Sequence, residues 1–318
     1  MTHVLVMGAG SGPAISIIKL LREQNELPIR LFGSDMDIMA AGLYLCDNYF
    51  LTPAASSKHF VENIEAKCTK FGIKFIFCPL DVENLVLSKY KNRLKKSGIT
   101  LLCDKWEKLS LASDKALANM VCNSHHIPTP KTYENEFPEV IDRKYIYKPI
   151  IGCGAKNNVI INTEMDKSKL VHLWLTQKQP FLCQEYIEGT EYSIDILSDQ
   201  HGQPLYCVPR ERIAVRDGQM VKGRTVIDPQ LIMYAKNVAK IFGISGVGCL
   251  QCIKNTEGIY FIEYNPRYGT GVNLSGMAGI NMPLLHLKMA LGMKIDMNLK
   301  YKEISMSRYW REIFIEEK

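Results

Sequence analysis

The 318-residue sequence has no stretch approaching the ~20 consecutive apolar residues that a membrane span needs. Its first residues show no basic segment followed by an apolar run and a small-residue cleavage site. A soluble, cytoplasmic protein is the expectation. A disulfide framework is missing too: the ten cysteines, Cys46, Cys68, Cys78, Cys103, Cys122, Cys153, Cys183, Cys207, Cys249 and Cys252, follow no such spacing. Many sit in apolar runs, where cysteine behaves as a small hydrophobe, which suits a reducing compartment. Cys249 and Cys252 form a C-x-x-C, but residues three apart on a strand face opposite ways, so neither zinc nor a disulfide is expected there. The net charge of +6, from 39 basic and 33 acidic residues, is mild for this length, and no dense basic block occurs beyond Lys89 to Lys96, read as a solvated helix face. Nucleic acid binding therefore draws little support, and an anionic small substrate accounts for the surplus equally well.

What is present is ample apolar content, 47%, enough for two or three domains. His3 to Met7 reads as a buried strand, Gly8-Ala9-Gly10-Ser11-Gly12-Pro13-Ala14 as a glycine turn, and Ile15 to Leu21 as the start of a helix. Strands at Ile29 to Gly33, Lys74 to Cys78 and Thr100 to Cys103, with a helix over Leu85 to Ser97, continue a βαβ spacing, the pattern of a doubly wound α/β domain. The glycines, with Asp35 downstream, invite a dinucleotide site, but the third fingerprint position is Pro13 rather than Gly or Ala. Asp81 and Glu83 follow the strand that ends near Cys78. They are read either as substrate-facing, because open α/β sheets bind ligands at that edge, or as helix N-terminal acids favoured by the dipole.

Past residue 110, Ala116 to Ser124 reads as a helix stopped by Pro128 and Pro130. The strand Lys144 to Pro149 carries Lys148 and runs into Gly152-Cys153-Gly154-Ala155-Lys156-Asn157-Asn158. A lysine beside a small-residue loop suits a polyphosphate, offering a point charge and approachable backbone N–H groups, although the loop has no Walker A G-K-[ST]. Phe181 to Leu197 reads as two strands about an acidic link, with Glu191 placed to take ribose hydroxyls. Cys207 to Gly223 reads as a cationic hairpin turning on Asp217-Gly218, and Asp228 to Phe242 as a helix. A last hairpin pairs Gly246 to Ile253 with Ile259 to Arg267 across Asn255-Thr256-Glu257-Gly258, which brings Gln251 near Glu263. Glu263, Asn265 and Arg267 alternate, so they share a face. The first two can supply oxygens to a hard cation such as Mg²⁺, and the third can grip a bridging phosphate.

In the order of these motifs, over nearly its whole length, the chain resembles the ATP-grasp superfamily, in particular single-unit ligases of the carbamoyl-phosphate-synthase type. The resemblance implies an α/β fold: a Rossmann-like preATP-grasp domain over residues 1–110, then α+β ATP-grasp subdomains over 111–318, with a lid at about 129–186. It implies that Lys115 and Lys148 contact phosphates under a loop containing Gly152 and Gly154. Gln184, Glu185, Tyr186 and Ile187 would form the adenine hinge, Glu191 the ribose carboxylate, and Gln251, Glu263 and Asn265 the metal ligands, with Arg267 on phosphate. ATP with Mg²⁺, or Mn²⁺ in its place, would be the cofactors. The implied reaction is amide formation between a small carboxylate and an amine through an acyl phosphate, with Arg210, Arg212, Arg216 and Lys222 holding the anions unless they are merely an exposed basic hairpin. Arg267, Lys148, Arg210 and Arg212 would be the catalytic set. No nucleic acid or membrane partner is implied, and a homodimer is allowed. Two departures stand out: Lys156 to Asn158 replace a usual further glycine, and Gln251 occupies a commonly acidic metal position, which opens the alternative of a nucleotide-binding protein with altered catalysis. A nicotinamide oxidoreductase rests on Gly8 to Ala14 alone.

Overall fold

The computed structural model describes residues 1–152 and 157–315, with side chains at all of these except Leu173 and Gln177. Gly154, with Cys153, Ala155 and Lys156 of the expected phosphate loop, lies outside the described residues.

The first third alternates strands and helices: β1 (Thr2–Val6), α1 (Gly12–Glu23), β2 (Ile29–Asp35), β3 (Asn48–Leu51), α2 (Phe60–Phe71), β4 (Phe75–Phe77), α3 (Asp81–Ser88), α4 (Lys91–Lys96) and β5 (Thr100–Leu101). Its five-stranded sheet has the order β3-β2-β1-β4-β5, with every pair parallel. Val4, Leu5 and Val6 are all buried because helices cover both faces of such a sheet. Ser11 caps α1, accepting from the Ala14 N–H, and the helix buries Ile17, Ile18 and Leu21, each contributing on the order of 1.5–3 kcal/mol. The single helix expected over residues 85–97 is instead two. The first begins at Asp81, with Asp81 and Glu83 in its first turn, and the chain breaks at Lys89 and Tyr90 before α4. The polar start of α3 hid it from a reading based on apolar period. The fold brings the C-terminal ends of β1 and β4 together, so the glycine turn and the first turn of α3 share one crevice, the usual ligand edge of such sheets.

Helices α5 (Trp106–Ser113) and α6 (Lys115–Ser124) lead to a four-stranded antiparallel sheet of order β6-β9-β7-β8, from β6 (Thr132–Glu134), β7 (Tyr145–Pro149), β8 (Val159–Ile161) and β9 (Phe181–Glu185), with α7 (Glu164–Gln177) between the last two. The rest builds on β10 (Thr190–Ser198), β11 (Pro204–Arg216), β12 (Gln219–Thr225), α8 (Pro229–Phe242), β13 (Gly246–Lys254), β14 (Ile259–Asn265), α9 (Val272–Met277), α10 (Met282–Ala290) and β15 (Ser305–Ser307). Six of these strands form a sheet of order β14-β13-β10-β11-β12-β15.

Strand alternation sorts this sheet into two faces. Ile194, Ile196, Leu250, Cys252, Phe261 and Tyr264 pack in a core with α8 residues Leu231, Ala235 and Val238. The opposite face carries Glu191, Ser193 and Asp195 on β10, Arg210 and Arg212 on β11, Cys249 and Gln251 on β13, and Glu263 and Asn265 on β14, in register across the strands. Cys249 and Cys252 therefore face opposite ways and both are free. A further core joins the first sheet to the large one through α1, α9 and α10, with Ile17, Leu20, Val272 and Ile280 in one cluster. That packing brings the glycine turn next to the segment after β14.

Candidate active site

On the closing hairpin, Gln251 pairs directly with Glu263, and Cys249 with Asn265. Asn265 Nδ2 donates to Glu263 Oε1 at 2.8 Å, and Arg267 Nη2 donates to Asn265 Oδ1 at 3.2 Å. The row Glu263, Asn265, Arg267 is thus a connected polar chain along one strand face. Arg267 Nε also reaches Asp81 Oδ1, 2.8 Å away on α3, an acid that the sequence reading did not pair with it. Among the described residues no three His, Cys, Asp or Glu side chains come together as a metal cluster. The donor set is one carboxylate and two side-chain amides, which suits Mg²⁺, an ion that takes few protein carboxylates and completes its shell with water and phosphate.

Lys148, on β7, is 4% exposed; its backbone pairs with Leu182 on β9, and its side chain makes no hydrogen bond or ion pair with another described residue. Burial holds its ammonium down to about 8, against the attraction of Glu263, and Lys115 adds to the lowering. Lys148, Lys115 and Glu263 are therefore electrostatic neighbours although they come from three different parts of the chain. Lys115 donates through Nζ to Gly152 O at 2.8 Å and to Ile150 O at 3.4 Å, gripping the start of the glycine loop. Two ammonium groups near one carboxylate leave local positive charge for an anionic ligand.

At the hinge, the Gln184 side chain is turned inside and donates to Thr132 Oγ1 at 2.8 Å, and Glu185 Oε1 sits 2.5 Å from Arg143. The Glu185 N–H donates to Lys131 O at 2.9 Å and the Tyr186 N–H to Lys144 O at 3.0 Å. Ile187 then carries the first N–H of the link without a backbone acceptor among the described residues. Glu191 lies 2.8 Å from Arg212 Nε, half open to solvent.

The cationic hairpin needs correcting. Arg210, expected at a substrate, is 1% exposed and is bound to Asp195 at 2.6 Å, whose other oxygen accepts from Ser275 Oγ at 2.6 Å. A Cβ at Gly271 would lie 2.0 Å from Arg210 Nη1, so the guanidinium is packed against that loop. The physical reason is register: Arg210 falls opposite Ser193 on the inward face, and a guanidinium there must be paired. Arg212 is also claimed, by Glu191, Ser193 Oγ at 3.3 Å and Gly218 O at 3.1 Å. Arg216 and Lys222 are exposed near the tip. The four cations do not form one anion-holding set. Arg308, outside the sequence reading, donates to Met220 O at 3.0 Å and to Thr270 O, bracing the same loop from just past β15. The period-2 run Glu191, Ser193, Asp195 was the available signal for a polar inner face.

The glycine turn is not a diphosphate cradle. Asp35 Oδ2 accepts the Gly10 N–H at 2.8 Å, and Glu83 Oε2 would lie 3.3 Å from a Cβ at Gly8. Carboxylates occupy the place where a dinucleotide would bring its own negative charge, which removes the basis for the oxidoreductase reading.

The ATP-grasp domain family matches residues 112–271, half of the chain, and the PylC-like N-terminal domain family matches residues 4–102. The chain belongs to the ATP-grasp family. This ATP-grasp protein is 27% identical over 228 residues to the carbamoyl phosphate synthase large chain of Clostridium acetobutylicum, covering 66% of this chain and 21% of that one. It is 28% identical over 230 residues to the tyramine–L-glutamate ligase of Methanocaldococcus fervens, covering 71% and 60%. The carbamoyl phosphate synthase large chains are much longer, and the alignments span 21% to 30% of their length. In fold, it is similar to the N5-carboxyaminoimidazole synthetase of Staphylococcus aureus solved with ADP, with a TM-score of 0.76, 14% identity and coverage of 96% and 81%. No helix among the described residues is long and apolar enough to cross a membrane.

Proposed function

We propose that this ATP-grasp protein is an ATP-dependent ligase that joins a small carboxylate to an amine through an acyl phosphate. The observation that carries the reading is Lys148: a buried lysine whose side chain has no partner among the described residues, close enough to Glu263 and Lys115 to feel their charges, on the strand that enters the glycine loop. Such a charge costs stability, and a polyphosphate is the ligand that would repay it.

In this reading Lys148 and Lys115 hold the phosphates and Ile187 offers its N–H to the adenine edge, with Glu191 on the ribose. Arg267, oriented by Asp81, steadies the phosphoryl group in transfer. Glu263, Asn265 and Gln251 would hold Mg²⁺, which when bound neutralises charge on the phosphate oxygens. Phosphoryl transfer depends mainly on such positioning and charge neutralisation, which is why cations and amides outnumber general bases on this face. Arg210 and Arg212 act from behind, Arg210 by holding Asp195 and the Gly269 to Gly271 turn, Arg212 by fixing Glu191. We assign residues 1–110 to the preATP-grasp unit and 111–318 to the ATP-grasp unit with its lid at about 129–186, in keeping with the three sheets.

The name of the ligase from Methanocaldococcus fervens makes glutamate and tyramine the first pair to try. The test is ADP release with pooled amino acids, carboxylates and amines, wild type against Glu263→Ala. Substrate-dependent ADP from the wild type alone is expected. Equal release by both proteins would sink the site, and substrate-independent binding of ATP with no release would favour a catalytically altered protein.

A further inference from the structure

Gln184 lies on the same face of the four-stranded sheet as Lys148, because Ile146 pairs with Gln184 and Lys148 with Leu182. The other face, with Tyr145, Tyr147, Phe181 and Cys183, is closed in a core. On the Lys148 face Ile146 is half-buried and its cross-strand neighbour Ile160 is 46% exposed, so an open apolar wall stands beside one amide. The Gln184 side chain is almost wholly enclosed, but its Oε1 accepts from no described residue and, unlike the buried and unpartnered Asn119 Oδ1, keeps an opening to solvent.

A side-chain amide can present either end to a ligand, and turning it over exchanges an acceptor for a pair of donors. Thr132 decides which end Gln184 shows. Its Oγ1 carries one proton, donated to Pro130 O at 2.7 Å, a carbonyl on a buried residue that accepts from no other described group. The hydroxyl can then only accept, and it does so from Gln184 Nε2 at 2.8 Å and from Asn119 Nδ2 at 3.3 Å. Turned over, Gln184 would set its oxygen against an oxygen whose proton is already used. The nitrogen is held inward, and the oxygen faces out.

We propose that Thr132 is a positioning residue for the choice of nucleotide: by holding Gln184 Nε2 it keeps Oε1 toward the base, so the site takes a purine with a 6-amino group and turns away a 6-oxo purine. This rests on the ATP site of the reading above. A 6-amino N–H donates to the waiting oxygen, whereas a 6-oxo group sets acceptor against acceptor in a largely dry place, which is where a mismatch costs most. Asn119 sits on α6, the helix that begins with Lys115, so the same hydroxyl also ties the four-stranded sheet to the helix of that lysine. A carboxylate at position 184 would accept through either oxygen and would need no threonine to orient it.

The test is calorimetric binding, on the full chain with Mg²⁺, of ATP, GTP and purine riboside triphosphate, which lacks the 6-amino group. The wild type should bind ATP at least about tenfold more tightly than either of the others. Thr132→Val keeps the shape and removes the acceptor, so the amide is free to turn over and the ratio of ATP to GTP affinity should fall about tenfold. Thr132→Ser should keep the ratio, and the double variant Thr132→Val with Gln184→Glu should recover it, since both carboxylate oxygens accept. A purely structural threonine would weaken ATP and GTP alike and leave the ratio where it was, and that result overturns the proposal. So does a double variant that fails to recover the ratio, or a wild type that binds GTP or purine riboside triphosphate as tightly as ATP, a comparison that needs no variant to fold. A wild type that binds none of the three overturns the ATP site itself and takes the role of Thr132 with it.

Discussion

Arg267 and Asp81, 186 positions apart, are joined Nε to Oδ1 at 2.8 Å, and this bond ties the phosphate end of β14 to the first helix turn after β4. Both side chains are mostly buried, at 15% and 22% exposure. Asp81→Asn should therefore destabilise the fold by about 1–3 kcal/mol in urea unfolding, since it leaves a guanidinium partly buried without its counter-charge. It should also lower kcat while leaving nucleotide affinity within about twofold, because the arginine acts on the group in transfer. A variant with normal kcat would show that Arg267 needs no such orientation.

Lys148 predicts a trade between stability and function. Its folded value of about 8 lies below the usual 10.5, so the unfolded chain binds the proton more readily. The penalty is in full force below about pH 8 and fades as pH rises toward 10.5. Lys148→Met should raise stability at pH 7, by about 3 kcal/mol at most, and the gain should shrink above pH 8. The same variant should lose the rise in melting temperature that ATP gives the wild type. Thermal melts with and without nucleotide at pH 7 and pH 9.5 check both halves.

The split of the basic hairpin gives a clean contrast. Arg210→Ala leaves Asp195 buried without its counter-charge, a loss of about 3–5 kcal/mol. Arg216→Ala, at the exposed tip, should change stability by less than about 0.5 kcal/mol. Denaturant unfolding of the two variants decides it; similar values for both would mean that the Arg210–Asp195 pair carries no weight.

Much of this was legible from the chain, and the reasons differ by element. β1 and the hairpin of β13 and β14 announce themselves through short-range pattern, an apolar run or an alternation with a turn between, so Gln251 opposite Glu263 could be foreseen. Strand period alone was also enough to separate Cys249 from Cys252. What could not be read was long-range: the Asp81–Arg267 pair, the Asp195–Ser275 bond and the reach of Arg308 to Thr270 depend on how α1, α9 and α10 pack. The fate of Arg210 was missed for a narrower reason. Charge density along Cys207 to Gly223 suggested one anion-holding set, whereas the register with β10 turns Arg210 inward onto Asp195. Helix α7 has scattered apolar positions and a capping box at Thr163 and Asp166, a local signal that a search for chemistry passed over.

The central claim is that the site of Lys148, Glu263 and Arg267 moves phosphate from ATP onto a carboxylate. Amino acids labelled with ¹⁸O in the carboxyl group, pooled and supplied with Mg-ATP, test it directly by ³¹P NMR of the phosphate released. The account predicts that one carboxylate oxygen appears in the inorganic phosphate, as the acyl phosphate transfers it, and that Glu263→Ala yields none. Substrate-dependent phosphate free of the label would contradict it.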